Sequence, residues 1–456
     1  MDLLHMPLIG RFIRSRWYPG LFQYALLFFL ALVLVWAFFG TVQASKNIAT
    51  LVIWGLWWTL LPFAFLLFGR IWCGVCPLAK TGDLIQLCFR GNRRYPGAFL
   101  RRYGIWIMIL LFVLLTWLDR ISSFAGSPRA TGILLLILLS GAVVIMFFYK
   151  RRTWCRYLCP IGGLSGIYSM ASFTELRSQK EKCQNECGEK ECMGGGDVPL
   201  SCPLFEHPPV MESNRNCNFC VNCLKSCQHD ALSWRIRTPL KELSELRQRI
   251  PAEAFLALIM VILVYFQTIS MSTLFPQYMK WFIEGSFIKN YHVAFTMTFG
   301  ALLVAGFSFY GLATYVASRY SKEPLRQNFA SFGYALIPLG LAGHLAHNMF
   351  HLIKEGKEAV QTILVESGIL MGVVKASAIP SHEISGQAPF IRTVQIGIIL
   401  VGILGSVIVL IRSNKLCGGN PHFKWGRIVP HLVLVAVIGV VFLHLFSLPM
   451  NLRHFH

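Results

Sequence analysis

Charge is scarce in this sequence, and acidic charge is scarcest. Only 14% of its 456 residues are Asp, Glu, Lys or Arg, with 21 acidic residues against 42 basic ones, while 55% are hydrophobic. That balance is too apolar for a soluble enzyme of this length. Also missing are a P-loop, a dinucleotide-binding glycine loop on a strand-to-helix turn, and a nucleophile arrangement, which removes the commonest nucleotide and hydrolase chemistries. The first apolar run has basic flanks but is too long for a signal peptide, and no clear small-residue cleavage site follows it.

What is present is a set of long apolar runs. Nine stretches approach the ~20 residues that cross a bilayer, at roughly 21–43, 51–69, 104–118, 131–149, 254–274, 292–316, 332–353, 394–411 and 428–447. The net charge of +21 follows their loops and forms no nucleic-acid stripe. Arg11, Arg14 and Arg16 precede the first run, and Arg70, Lys80, Arg93, Arg94, Arg101 and Arg102 follow the second. Lys150, Arg151, Arg152 and Arg156 follow the fourth, Arg319 and Arg326 the sixth, and Arg412, Lys415 and Arg427 lie between the eighth and ninth. The other loops are sparser or mixed, as in the stretch from residue 354, where Glu355 offsets lysines. By the positive-inside rule the N-terminus and the cysteine-rich loop face the cytoplasm, and the C-terminus faces the periplasm.

Eight cysteines lie between Cys183 and Cys227. The last four read Cys217-Asn-Phe-Cys220-Val-Asn-Cys223-Leu-Lys-Ser-Cys227, the C-x2-C-x2-C-x3-C spacing of a [4Fe-4S] ligand loop. Two-residue gaps turn three sulfurs toward one centre, and the fourth, after a longer gap, points away. In two-cluster ferredoxins that fourth thiolate serves the neighbouring cluster. Upstream, Cys183, Cys187 and Cys192 are followed after a Gly-rich insert by Cys202-Pro203. The expected pairing is therefore crossed: Cys202 with Cys217, Cys220 and Cys223, and Cys227 with Cys183, Cys187 and Cys192. Zinc prefers two separated ligand pairs, and disulfides need an oxidising compartment; neither suits this run. The module closes on Thr238–Arg249, where Leu240, Leu243 and Leu246 suggest an amphipathic helix.

A second pattern is duplicated. Arg70-Ile-Trp-Cys73-Gly-Val-Cys76-Pro77 follows the second run, and Arg152-Thr-Trp-Cys155-Arg-Tyr-Leu-Cys159-Pro160 follows the fourth. The copies suggest an internal repeat of two helices plus a thiol loop, and Cys73, Cys76, Cys155 and Cys159 could converge as a four-thiolate metal site. Two such loops followed by a ferredoxin module resemble the membrane polyferredoxin family that includes NapH, NosR and CcoG, over roughly residues 50–235. One departure is the two-residue gap in the first loop, where the family has three. The resemblance implies electron transfer serving periplasmic reductases, copper handling for oxidase assembly, or reactions of periplasmic iron.

The last five runs fall outside that resemblance. In the seventh, His344, His347 and His351 share one helix face, because steps of three and seven residues rotate a helix by about 300° and 700°. Imidazole is a common ligand for haem b, copper and iron, so His347 or His351 with His444 forms a candidate haem or metal site, and His431 with His344 a second. Hydrogen bonding across helices, or a place at the headgroup boundary, is the competing account for these and for His292. Cys88 and Cys417 are expected to be inert thiols, Asp119 and Arg120 an interfacial pair or the lining of a quinone pocket, and Trp54, Trp57 and Trp58 part of an aromatic belt. His454 and His456 read as a solvated tail.

The expected fold is an all-α polytopic membrane protein of about nine helices with a small cytoplasmic α+β ferredoxin-like 2[4Fe-4S] module. Its parts are residues 1–149 (four spans), 150–250 (the module) and 251–456 (five spans). The expected role is an inner-membrane electron relay between a cytoplasmic ferredoxin, flavoprotein or quinone and a periplasmic redox partner. Copper or iron handling, and a scaffold with structural clusters, are the alternatives. No nucleic-acid partner is expected.

Overall fold

The computed structural model describes residues 2–89, 91, 93–188, 192, 201–321, 323–370, 389–416 and 425–451. Cys417, His454, His456 and the Gly-rich insert at Gly194–Gly196 lie outside the described residues. Among those described, nine helices are long and apolar enough to cross a membrane. After an amphipathic helix α1 (Pro7–Arg14) come α2 (Gly20–Phe39), α3 (Ile48–Phe68), the short α4 (Pro77–Cys88), α5 (Ala98–Ser122), α6 (Pro128–Phe148) and the short α7 (Pro160–Ser169). The remaining long helices are α10 (Pro251–Ser270), α12 (Tyr291–Ser321), α13 (Leu336–Leu370), α14 (Pro389–Leu416) and α15 (Trp425–Ser447), with α11 (Phe275–Gly285) between the first two. Backbone groups in lipid must be satisfied within the segment, which is why uninterrupted apolar runs become helices.

One span is irregular. Within α3, Leu51–Trp57 is π-helical, and Pro62 withdraws an N–H just downstream. The Thr59 hydroxyl donates to Gly55 O at 2.7 Å, giving one carbonyl there a partner.

The polar segment is simpler than the expected α+β module. Its sheet among the described residues is one antiparallel pair, β1 (Thr174–Ser178) with β2 (Leu232–Ile236), in the register Leu176 opposite Trp234. Short helices α8 (Asn222–Ser226) and α9 (Lys241–Glu245) accompany it. The amphipathic helix expected over Thr238–Arg249 shrinks to α9, because Leu240 sits at φ +64°, a left-handed conformation that starts the helix late. Leu243 and Leu246 are nevertheless buried.

The chain divides into two compact units. One comprises Met1–Leu32, Ala64–Leu111 and Leu136–Leu246, and holds the cysteine loops; the other comprises Val33–Phe63, Phe112–Leu135 and Arg247–His456. This division cuts the first four spans instead of following the chain. The first unit has a core of Leu176, Phe219, Val221, Leu224, Leu232 and Trp234 beneath the cysteine loop. In the second, α13 is central: 94% of the most apolar window in the span Leu325–Val365 is buried.

Candidate functional site

The Cys217 loop is built on two strained residues. Phe219 (φ +52°) and Val221 (φ +56°) both take left-handed conformations, unfavourable for any side chain and most of all for a β-branched one. Such strain persists only where the surroundings hold it. Phe219 stacks on Trp234 at 4.8 Å between centroids, its carbonyl accepts from Tyr18 Oη at 2.9 Å, and Val221 is 1% exposed. The two reversals bring Cys217, Cys220 and Cys223 to one cavity, which Cys202 also lines with Met211 and Pro208. Each of these four thiols lies within electrostatic reach of the other three.

A second cavity is lined by Cys183, Cys187, Cys192 and Cys227, and Pro208 belongs to the walls of both. Cys223 also feels Cys192, so the two quartets adjoin. Burial pushes the Cys220 thiol up to about 12 and Cys192 up to about 11, with neighbouring thiols adding to both. Amides oppose this at Cys217 (Phe219) and at Cys220 (Asn222), favouring thiolate. The Glu206 N–H approaches Cys202 Sγ at 3.4 Å.

The Cys-Pro loops also come together. Cys73, Cys76, Cys155 and Cys159 all interact electrostatically with one another. Cys76 and Cys159 each cap a helix, α4 and α7, whose first turn is the following proline. Proline suits that position because its missing N–H would be unsatisfied there. Burial lifts Cys76 to about 11 and Cys159 to about 12. Among the described residues, no three His, Cys, Asp or Glu side chains lie close enough to hold a single metal ion. A cubane places its thiolates on separate iron corners and asks for a wider setting than a single ion does. Cys88 is exposed and belongs to none of these groups.

In the other unit, His344, His347 and His351 are all buried, at 0–1% exposure. His351 Nδ1 lies 2.8 Å from Glu355 Oε1, and His347 Nδ1 lies 3.2 Å from Thr268 Oγ1. The rings of His347 and His351 are 4.9 Å apart. Glu355, expected in a mixed loop, is instead inside α13 and buried beside His351; its i,i+4 spacing from His351 was the available signal. His444 is exposed and is not placed with these buried groups, and His292 is exposed too. His431 is buried against Thr314 and Phe332. The buried histidines thus have hydrogen-bonding neighbours, and the paired haem or metal site with His444 is not carried further. Asp119 and Arg120 lie 3.9 Å apart, half-buried, with Arg120 in electrostatic reach of Glu355. Trp54 Nε1 donates to Thr131 Oγ1 at 3.0 Å, and Trp58 packs against Trp54 and Trp57.

Comparison with known proteins bears first on the Cys-Pro loops. A 4Fe-4S binding domain family matches over residues 50–96 and over 131–181, the two Cys-Pro repeats. A candidate electron transport protein of Escherichia coli, YccM, is 34% identical over 79 residues, 17% of this chain and 20% of YccM. The ferredoxin-type protein NapH of Haemophilus influenzae is 25% identical over 199 residues, 38% of this chain and 65% of NapH. An uncharacterized protein of Methanocaldococcus jannaschii is 25% identical over 191 residues, 37% of this chain and 73% of its own length. The chain thus spans a fifth of YccM and just under two thirds of NapH. No solved structure matches. Over these segments the chain is similar to 4Fe-4S binding and ferredoxin-type proteins, and its described residues include nine helices long and apolar enough to cross a membrane.

Proposed function

We propose that the chain is an inner-membrane electron relay with two [4Fe-4S] clusters on the cytoplasmic side. Cys202, Cys217, Cys220 and Cys223 would hold one, and Cys183, Cys187, Cys192 and Cys227 the other. The observation that carries this is the pair of cavities, each lined by one of these quartets and sharing Pro208. When bound, the clusters would exchange single electrons at potentials set by burial and hydrogen bonds. The chain's own residues shape the site: Phe219 and Trp234 exclude water, and the amides of Phe219 and Asn222 favour the thiolate form.

The alternating basic loops support a cytoplasmic N-terminus and module and a periplasmic C-terminus. The likeness to NapH supports redox partners on both sides: a quinone or cytoplasmic ferredoxin or flavoprotein on one, a periplasmic protein on the other. The working division remains residues 1–149, 150–250 and 251–456. The test is anaerobic purification with iron, sulfide and electron-paramagnetic measurements on Cys220→Ser and Cys187→Ser. Each variant should lose about four irons and a different reduced signal; loss of the same signal in both would sink the crossed pairing.

A further inference from the structure

The buried face of α13 carries polar groups for which electron transfer has no use. His344, His347, Asn348, His351 and Glu355 are each at most 2% exposed. Ionisable side chains inside a span are costly, and where they occur they commonly line paths for ions or protons. Among the described residues these side chains do not gather around a metal ion, which leaves the proton as the cation for them to take.

The hydrogen bonds fix where the protons sit. The Gly340 carbonyl can only accept, so His344 carries its proton on Nδ1, 3.0 Å away, and its lone pair on Nε2. The Thr268 hydroxyl donates to Val264 O at 2.7 Å, so its oxygen accepts from His347 Nδ1 at 3.2 Å, and His347 also keeps its lone pair on Nε2. His351 differs. Its Nδ1 faces Glu355 Oε1 at 2.8 Å, an acid–base pair sharing a proton that either atom can hold. The rings of His347 and His351 are 4.9 Å apart, so rotation of either ring brings two nitrogens together.

Charge reaches this pair from α5. Arg120 lies in electrostatic reach of Glu355 and 3.9 Å from Asp119, and the two side chains are 17% and 25% exposed. That exposure gives protons an entrance at the end of the bilayer where α5 finishes. Tyr291, at the start of α12, also reaches Arg120, and Lys354 precedes Glu355 on α13 itself. From α10 comes Thr268, and from α14 Gln395, whose Nε2 donates to Ala346 O at 2.8 Å. From α15 comes Phe442, beside Gly343, and Leu51–Trp57 of α3 has no titratable side chain.

We propose that Glu355, His351, His347 and His344 form a proton relay along this face, entered at the Arg120 end. Glu355 to His344 is eleven residues, or ~16 Å along the helix axis. Glu355 passes its proton from Oε1 to His351 Nδ1, and His351 releases its other proton from Nε2 to the lone pair on His347 Nε2. His347 then hands a proton to His344 Nε2, three residues away on the same face. Each step breaks one O–H or N–H bond and forms one N–H bond, and no electron moves. Glu355 recovers a proton from solvent at the Asp119 end, and a flip of the His351 ring resets its tautomer.

The test uses the full chain in sealed vesicles of both orientations, and it needs no cluster. Dicyclohexylcarbodiimide adds to a carboxyl in an apolar site only when that carboxyl is protonated, and mass spectrometry places the adduct. Labelling of Glu355 should rise by up to about tenfold per pH unit as the Arg120 side is acidified, and should ignore the other side. Cys88 reactivity reads vesicle orientation separately, so an inverted topology is not mistaken for a failed relay. After a pH jump on the Arg120 side, the imidazole infrared bands assigned with His344→Phe should shift, and His347→Phe should slow that shift by ~100-fold. Labelling of Glu355 that is absent at every pH, or constant with pH, makes the carboxyl a fixed structural partner of His351 and overturns the relay. Labelling that follows the opposite side, or His344 bands that keep their rate in His347→Phe, overturns it too. If His347→Phe fails to accumulate, the wild-type labelling decides alone.

Discussion

Replacing Glu242 with Gln should be the most damaging single-atom change in the cysteine-bearing unit. The Glu242 side chain is 2% exposed and pairs with Arg237, itself 1% exposed, and with Arg177 at 2.7 Å. It also accepts from Ser213 Oγ at 2.5 Å and from the Asn214 amide at 3.1 Å. Asn214 O in turn accepts from the Cys217 amide at 2.8 Å, so the carboxylate anchors the start of the ligand loop. Breaking a buried ion pair by removing one partner costs ~3–5 kcal/mol. Two facts place this case at the low end. Gln keeps an acceptor for Ser213 and Asn214, and Glu175 remains 3.6 Å from Arg237, which also donates to the carbonyls of Ser169 and Ser172. A loss of ~3 kcal/mol in a unit of this size lowers the melting midpoint by ~6–12 °C. Thermal bleaching of the visible iron–sulfur absorbance, with near-ultraviolet dichroism in detergent, reads both stability and cofactor retention. Glu175→Gln should be milder, since one of its partners, Arg235, is 48% exposed. A Glu242→Gln protein melting with wild type, or above Glu175→Gln, refutes this account of the network.

Gly74→Ala should cost ~1–3 kcal/mol by overpacking, because its Cβ would press on the backbone oxygen of Asn218, while Gly97→Ala, with open space around it, should be silent; thermal bleaching compares them. The cluster-free protein should lose stability in alkali. Cys220 and Cys159 at about 12, and Cys76 and Cys192 at about 11, lie above their ordinary value of 9.0. Folded and unfolded chains are both protonated below pH 9, and only the unfolded chain ionises between there and about 12, so stability is full below about 9 and falls above it; a melting midpoint flat across pH 8 to 11 would contradict these burials. Cys88 should react with a membrane-impermeant maleimide in inside-out but not right-side-out vesicles, and the reverse would invert the orientation. Glu355→Ala should cost ~1–3 kcal/mol, since it removes a buried hydrogen-bonding carboxylate from His351, and the pair replaced together by Phe and Leu should cost less than the sum; additive losses in a double-mutant cycle would show the two uncoupled.

The spans were legible because hydrocarbon demands long apolar runs, and the grouping of thiols around shared cavities because their short fixed gaps are those of a ligand loop. The histidines show where that legibility stops. Depth alone pairs His444 with α13, whereas the buried positions of α15 include His431, Val435, Gly439, Phe442, Leu445 and Phe446, and His444 is exposed. Helical periodicity could have shown this. Glu355 was missed because a charged residue after Lys354 reads as the end of a span, whereas α13 continues to Leu370. The positive φ at Phe219, Val221 and Leu240 had no local signal, since none is a residue that favours it; tertiary packing imposes it. Nor could spacing reveal that Arg70 and Arg152 reach across to each other's loop, because that depends on how the repeats meet.

The unequal gaps in the two Cys-Pro loops follow from what each loop faces. The first, Cys73-Gly-Val-Cys76, is one residue shorter than the second and has glycine where it meets Asn218. Gln23 Nε2 donates to the Gly74 carbonyl at 2.7 Å, so the loop is held on one side by a span and pressed on the other by the Cys217 loop. A longer or bulkier loop there would push the two thiol quartets apart. The second loop carries large side chains. Arg156 reaches Glu206 at 3.5 Å, and Tyr157 packs so closely on Gly104 that a Cβ there would come 2.9 Å from its ring. The two copies differ accordingly: the first has glycine where Asn218 approaches, and the second has large side chains that reach a span and the Cys202 segment. Arg70 and Arg152 are common to both copies, and each holds the backbone of the opposite loop. What the two copies share is the pair of thiols and an arginine that reaches the backbone of the opposite loop, so the two loops are tied to each other whatever their gaps.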